Sequence, residues 1–144
     1  MKVIPFNVPK IAKEAFRLQI DILPHLYDKL HQHPETQIMY IEKGEGTLIA
    51  GDYVGRFTSG DIFLIGGGQP HVFRNDEKYY RLKGKKKVQT TSLYFDEKYA
   101  GESFWLLDEL REVKKFLSHA QAGIRIEGNT KSKVTAIIHE LKSS

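Results

Sequence analysis

The chain has 144 residues and a mass of 16.6 kDa, the size of a single domain that can bury a real core. It has no cysteine, which excludes disulfides and thiolate metal sites and favours a reducing compartment, so we expect a cytoplasmic protein. The formal net charge is +4, the N-terminus lacks the apolar core of a secretory signal, and no run reaches the roughly 18 apolar residues that span a bilayer.

The first two thirds of the sequence are typical of an antiparallel β protein. Residues 1–12 contain two prolines and predict an extended N-terminal arm. Turn residues then divide the chain into short apolar or alternating runs, namely RLQIDI, TQIMYIE, GTLIAG, YVGRF, DIFLI, HVF and VQTTSLYF. Tight turns are predicted at residues 51–53 (GDY) and at Gly60-Asp61. We predict a sandwich or barrel over residues 13–100.

A group of polar side chains is expected inside this barrel. Alternate side chains of a strand project to the same side, so His31, His33 and Gln37 face one way if a single strand runs through them. His71 opens the run HVFRN after a glycine-rich turn, and three imidazoles converge if that run lies near the first one. The inward-facing candidates are His31, His33, Gln37, Met39, His71 and Phe73. For Met39 and Phe73, filling of the barrel is the commoner explanation.

The positive charge is concentrated in one segment. Six basic residues and no acidic residue lie in KYYRLKGKKK, residues 78–87, so the rest of the chain is slightly negative. The segment centres on Gly84 and precedes a strand-like run, which predicts a solvated hairpin tip. A phosphate-binding surface normally spreads its charge over a face, so we expect no specific DNA binding here.

Helical periodicity begins after Gly101. The sequence ESFWLLDELREVKKFLSHA predicts an amphipathic helix that ends near Gly123. Its apolar stripe consists of Leu106, Leu110, Val113 and Leu117. A second helix is predicted after Asn129-Thr130, an expected N-cap. Its apolar stripe consists of Val134, Ile137, Ile138 and Leu141. The two helices either cover the open face of the sheet or pair with a partner chain, and the sequence leaves both possibilities open.

Two motifs around the histidines resemble those of the cupin family. His31-x-His33-x(3)-Gln37-x(6)-Gly44 is similar to the first cupin motif, and Gly60-x(5)-Gly66-x-Gly68-x(2)-His71-x(3)-Asn75 is similar to the second. Gln37 stands where the family has glutamate, and Gly66 stands where it has proline. With the two predicted helices, the resemblance implies a mainly β fold, a small cupin (jelly-roll) barrel of antiparallel strands followed by two C-terminal α-helices.

Within the cupins, HQHPETQIMYIEKGEGTLIAGD followed by GDIFLIGGGQPHVF resembles the sensor domain of AraC-type bacterial transcription regulators. The resemblance implies an effector-sensing and dimerisation domain. A small molecule, such as a sugar or another metabolite, would contact the six inward-facing residues and change how the arm and the helices pack.

The same resemblance bears on partners. Residues 101–144 would form a homodimer through the stripe of Leu106, Leu110, Val113 and Leu117. In the family a two-unit helix-turn-helix domain follows the sensor, and no segment here offers a paired recognition helix. We therefore expect the sensor half of such a regulator, with DNA bound only through a C-terminal domain that is not present in this chain.

A metal-dependent cupin enzyme, such as a dioxygenase or a sugar isomerase, is the alternative, and a stand-alone ligand-binding cupin is a third possibility. Such an enzyme needs a divalent metal that is usually held by an anionic ligand, whereas Gln37 supplies a neutral carbonyl oxygen. We therefore predict no enzymatic activity and no required cofactor. Three imidazoles can still hold zinc or nickel, so His31, His33, Gln37 and His71 predict a weakened metal site with partial occupancy.

Overall fold

The structure, a computed structural model, describes residues 2–6, 16–98, 101–119 and 123–143. Its elements in chain order are β1 (Ile4–Pro5), β2 (Phe16–Leu23), β3 (His31–Gln32), β4 (Thr36–Lys43), β5 (Gly46–Ala50), β6 (Tyr53–Phe57), β7 (Ile62–Ile65), β8 (His71–Asn75), α1 (Glu77–Arg81), β9 (Val88–Phe95), α2 (Glu102–Trp105), a 3₁₀ turn (Asp108–Leu110), α3 (Arg111–His119), β10 (Ile124–Ile126) and α4 (Gly128–Lys142).

The strands form two five-stranded sheets. The first has the order β1-β3-β8-β5-β6, and the second has the order β10-β7-β4-β9-β2. Every pairing is antiparallel except the short parallel pair of β1 with β3. Apolar side chains from both sheets meet in one core, in which Leu48 and Phe73 of the first sheet join Met39 and Phe63 of the second. The predicted mainly β barrel followed by helices is confirmed.

The predicted turns close the strands as expected. Gly51 and Asp52 connect β5 to β6, with Ala50 paired to Tyr53, and Gly51 has a positive φ of 58°. Two-residue hairpin turns need such angles, which glycine adopts without strain. Gly60 also has a positive φ, of 95°, and the next residue, Asp61, accepts a hydrogen bond from the Thr58 amide.

The helical segment covers part of the second sheet. Leu117 of α3 and Val134 of α4 pack against Ile62 and Leu64, on the face of β7 that points away from the barrel interior. Charged contacts add to this packing. Arg125 of β10 donates to Asp61 over 2.8 Å, and Lys142 of α4 lies 2.5 Å from Glu42 of β4. Residues 123–143 are therefore attached to the barrel at both ends.

The prediction of one continuous helix after Gly101 is wrong. Leu107 has extended backbone angles (φ −64°, ψ 133°), which separate α2 from the 3₁₀ turn and from α3. Leu117 is 8% exposed in the chain's own core, whereas Leu106 is 72% exposed. The four-residue stripe is thus divided between two surroundings, with Leu110 half-buried and Val113 exposed.

Two further expectations about the C-terminal part need correction. The last helix begins at Gly128 after Glu127, so Asn129-Thr130 is not its N-cap. The three-residue strand β10 was not predicted, because IRI is too short to show a period, and it is fixed by pairing with β7.

The basic segment is not a hairpin tip. Residues 77–81 form α1, and the flanking strands β8 and β9 lie in different sheets, so the segment crosses between sheets. Tyr79 of α1 is buried in the barrel core and its hydroxyl donates to the Glu45 carboxylate, while Lys78 pairs with the same carboxylate over 3.0 Å. The part of the basic segment that forms α1 therefore packs on one end of the barrel.

The N-terminal arm is described at residues 2–6, where β1 lies beside β3. The remainder of the predicted arm, residue 1 and residues 7–12, lies outside the described residues. The division into an arm (1–12), a barrel (13–100) and a helical segment (101–144) stays a prediction. In the part of the chain that is described, no helix has the length and apolar composition that crossing a bilayer requires.

We predict different effects on stability for two leucines of the apolar stripe predicted from the sequence. Leu117→Ala should lower the free energy of unfolding by about 2–4 kcal/mol, because it opens a cavity between α3 and β7. Leu106→Ala should change it by less than about 0.5 kcal/mol, because its side chain is exposed. Urea unfolding of both variants tests this, and equal losses would contradict the packing of α3 on the barrel.

Candidate metal and ligand site

Three histidines converge at one end of the barrel interior. His31 of β3 and His71 of β8 are direct cross-strand partners, and His33 lies one residue beyond the end of β3. The ring centroids of His31 and His71 are 4.4 Å apart, and those of His33 and His71 are 5.0 Å apart. All three side chains are buried. The predicted convergence of the imidazoles is therefore present.

Hydrogen bonds fix the tautomer of each ring. Every Nδ1 contacts a backbone carbonyl oxygen: His31 that of Lys29 (2.7 Å), His33 that of Glu35 (2.9 Å) and His71 that of Gln69 (2.8 Å). A carbonyl oxygen can only accept, so we assign the proton of each ring to Nδ1. The Nε2 lone pairs then point into the barrel, and the three ligand atoms lie within 4.8 Å of one another.

The surroundings of His31 and His71 favour their neutral forms. The pKa of His71 is lowered to about 3, chiefly by burial and also by the neighbouring His31 and His33, although the Gln69 carbonyl raises it. Burial also lowers the pKa of His31, in opposition to the Lys29 carbonyl. Neutral imidazoles with protonated Nδ1 are the form in which histidine binds metals.

Gln37 reaches the histidines by a route that differs from the predicted one. The expectation of one strand through residues 31–37 is wrong, because β3 ends at Gln32, Pro34 and Glu35 form a bend, and β4 lies in the other sheet. Gln37 nevertheless faces inward, with Oε1 3.3 Å from Nε2 of His33.

Two hydroxyls of β9 orient the Gln37 amide. Its Nε2 donates to Ser92 Oγ over 3.0 Å and to Tyr94 Oη over 3.3 Å, so its carbonyl oxygen points at the histidines. A neutral imidazole lone pair and an amide oxygen are both acceptors, and their close approach suits a cation placed between them. The donor chemistry, three Nε2 atoms and one amide oxygen, therefore fits a divalent ion.

The glycine-rich turn supports the bend that carries His33. A Cβ atom at Gly67 would lie 2.3 Å from the carbonyl oxygen of Pro34, so only glycine allows this approach. The Gly68 amide donates to the His33 carbonyl over 2.7 Å. This contact is a second link between the two histidine-bearing segments, in addition to the β3–β8 pair.

His31, His33, Gln37 and His71 would hold a metal here, and such an ion would supply Lewis-acid coordination to a bound molecule. Zinc accepts three imidazoles at about 2.0–2.1 Å, which small side-chain rotations could provide. The role of each residue as a ligand stays a prediction.

A cavity of about 150 Å³ adjoins the histidines. Its lining comprises Phe6, Gln19, Asp21, Leu23, Leu26, Tyr27, His31, Gln37, Met39, His71, Phe73, Ser92 and Tyr94. Met39 and Phe73 both line the cavity and belong to the apolar core, so they also fill the barrel.

Sequence reasoning missed several of these residues. Gln19 and Asp21 alternate in RLQIDI, and Ser92 and Tyr94 alternate in VQTTSLYF, so strand parity could have found them. Phe6 could not be found in this way, because its position depends on the packing of the arm against β3.

Comparisons with known proteins agree with this fold. Residues 19–83, which include both histidine motifs, match the family model described as "Cupin domain". A comparison with curated proteins gave no significant match. The predicted cupin fold is therefore confirmed, while the finer resemblance to AraC-type sensors remains a hypothesis.

Several solved structures match this chain. ToxT from Vibrio cholerae O395 matches with a TM-score of 0.52 and 12% identity, over 90% of this chain and 46% of ToxT. The DMSP lyase DddQ from Ruegeria pomeroyi DSS-3 has 22% identity and a TM-score of 0.47, over 58% of this chain and 40% of the lyase. A Cupin 2 conserved barrel domain protein from Salinispora arenicola CNS-205 has 18% identity and a TM-score of 0.47, over 65% of this chain and 73% of that protein. This chain thus spans less than half the length of ToxT or of the lyase.

We predict that Gln37→Glu strengthens zinc and nickel binding by about tenfold, because a carboxylate adds a unit of negative charge at a position that already faces His33. Titration of chelator-treated protein with each ion measures the effect, and His71→Ala should abolish binding in both backgrounds. An unchanged affinity in Gln37→Glu would mean that residue 37 does not contact the ion.

Proposed function

We propose that this chain is the effector-sensing and dimerisation domain of a cytoplasmic AraC-type transcription regulator, and that its effector is a small molecule that binds in the cavity beside the histidines. The cupin fold and the likeness of the fold to ToxT, an AraC-family protein, are consistent with this proposal. The observation that carries it is the position of the N-terminal arm at this cavity.

The arm reaches the cavity through one aromatic side chain. Phe6 lines the cavity and lies 5.4 Å from the His31 ring and 5.5 Å from the Tyr27 ring, between centroids. Behind it, the Ile4 and Phe6 amides donate to the carbonyls of Leu30 (3.0 Å) and Gln32 (2.9 Å). A molecule in the cavity would therefore touch both the arm and the strand that carries His31.

The attachment of the arm is weak enough to respond to a ligand. Each backbone hydrogen bond contributes only about 1 kcal/mol net, and the pairing of β1 with β3 extends over two residues. A ligand that binds better when Phe6 covers the cavity would hold the arm in place, and one that displaces Phe6 would release it. Either change would alter the surface offered to a second domain or a second chain.

We predict that loading the histidines with zinc slows amide hydrogen exchange at Ile4 and Phe6 by about fivefold, or about 1 kcal/mol, because fixing His31 orders the strand to which these amides donate. Exchange measured with and without zinc tests this, and His71→Ala, which should lose the ion, is the matched control. Equal exchange rates in both states would contradict a coupling between the site and the arm.

A metal-dependent cupin enzyme is the second candidate. The favouring observation is the set of three Nε2 atoms beside a cavity that also contains the Tyr94 hydroxyl. Burial raises the pKa of Tyr94 to about 12, so this hydroxyl stays protonated and could donate a hydrogen bond to a bound molecule. We favour binding over turnover because Gln37 gives the donor set no negative charge.

The dimer is proposed to form through the exposed apolar side chains of residues 101–119, which include Phe104, Leu106, Val113 and Phe116. We predict that Leu106→Glu converts a dimer to a monomer that keeps its fold, because Leu106 makes little contact with its own barrel. Sedimentation velocity measures the association. Ile22→Glu, at a 57% exposed position of β2, is the control; dissociation by this variant alone would place the interface on β2 instead.

A further inference from the structure

The wall of the cavity contributed by β2 has its own chemistry. In β2 the apolar side chains of Phe16, Ile20 and Ile22 are exposed. The polar side chains of Gln19 and Asp21, on the other face of the strand, line the cavity. The register aligns Gln19 with Ser92 of β9, and Ser92 with Met39 of β4. Polar side chains of β2 therefore lie on the inner face of the second sheet, two strands away from the strand that carries Gln37.

The two side chains together form a group of acceptors. Gln19 Nε2 donates to both carboxylate oxygens of Asp21, over 3.2 and 3.0 Å. Its Oε1 is buried and has no hydrogen-bond partner among the residues that the structure describes. Leaving a buried amide oxygen without a donor costs stability, which a bound donor would recover.

The charge of Asp21 is not balanced within the cavity lining. Among the lining residues that the structure describes there is no lysine or arginine; Arg17, the next residue on this face of β2, does not line the cavity. Asp21 lines the same cavity as His31 and His71, so its carboxylate borders the space that a ligand would occupy. Aromatic rings of Phe6, Tyr27 and Tyr94 also line the cavity, beside the histidines, and such rings favour cations.

We propose that the ligand of this cavity is a short zwitterion, whose protonated amine binds to Asp21 and Gln19 and whose carboxylate faces the histidine site. This inference rests on the proposed ligand-binding function and names its chemical class. An ammonium group carries three donors and one positive charge, which match the three acceptor oxygens and the one negative charge of this pair. A hydroxyl group would leave the charge of Asp21 uncompensated. The carboxylate of the ligand would meet the metal ion, if one is bound.

The test compares ligands that differ only in the amine. Zinc-loaded protein is titrated with β-alanine, γ-aminobutyrate and δ-aminovalerate, which cover a range of spacings, and with the hydroxy acid of the same length in each case. We expect at least one amino acid to bind about tenfold more tightly than its hydroxy analogue, since a charged hydrogen bond is lost in the analogue.

Asp21→Asn should remove this preference, because it neutralises the carboxylate and keeps the shape of the side chain. Asp52→Asn, in the exposed turn between β5 and β6, is the matched control and should leave the preference unchanged. Equal binding of amino and hydroxy acids at every length, or a preference that survives Asp21→Asn, would overturn the inference.

Exchange at the Ile4 and Phe6 amides is read in the same samples, which separates this inference from the proposed function. If a hydroxy acid binds equally well and alters arm exchange, the sensing function is supported and the zwitterion is rejected. If an amino acid binds with the expected preference and arm exchange does not change, the ligand class is supported and the sensing function is rejected.

Discussion

The site depends on one constraint, the orientation of three buried imidazoles by backbone carbonyls. Because each Nδ1 donates to a carbonyl oxygen, each Nε2 must present its lone pair to the barrel interior. Three lone pairs that face each other, with the Gln37 oxygen beside them, are stabilised by a cation or by hydrogen-bond donors such as water or a bound molecule. The burial that lowers the pKa of His71 to about 3 disfavours a proton as the solution there. The geometry of this end of the barrel therefore suits a cation or a hydrogen-bond donor.

The two sheets are needed to build this arrangement. β3 and β8 bring His31 and His71 together in the first sheet, and the bend at residues 34–35 carries the chain to β4 in the second sheet, from which Gln37 returns towards the histidines. β9 then orients the amide through Ser92 and Tyr94. The arm and β2 close the remaining sides of the cavity. A ligand in the cavity would therefore contact both of these segments directly.

Local patterns predicted much of this from the sequence, because turns and strand periods depend on nearby residues. The turn at Gly51-Asp52 and most strands follow from glycine chemistry and alternation, and the spacing of the two motifs indicated that the histidines meet. The sequence-based predictions failed where the structure depends on tertiary contacts. No local signal shows that β3 and β4 belong to different sheets, that Leu107 is extended, or that Phe6 covers the cavity. Strand parity could have placed Gln19 and Asp21 together on one face of β2, but which face lines the cavity depends on how the sheets pack.

X-ray absorption spectroscopy of the zinc-loaded protein tests whether the three histidines bind one ion. Imidazole rings give characteristic multiple-scattering features, so the spectrum counts the histidines in the first coordination shell. We expect three imidazoles and additional oxygen ligands around each ion, and the loss of this imidazole-bound zinc in His71→Ala. A first shell made only of oxygen ligands, or one that is unchanged in His71→Ala, would contradict the convergence of His31, His33 and His71 on a common ligand.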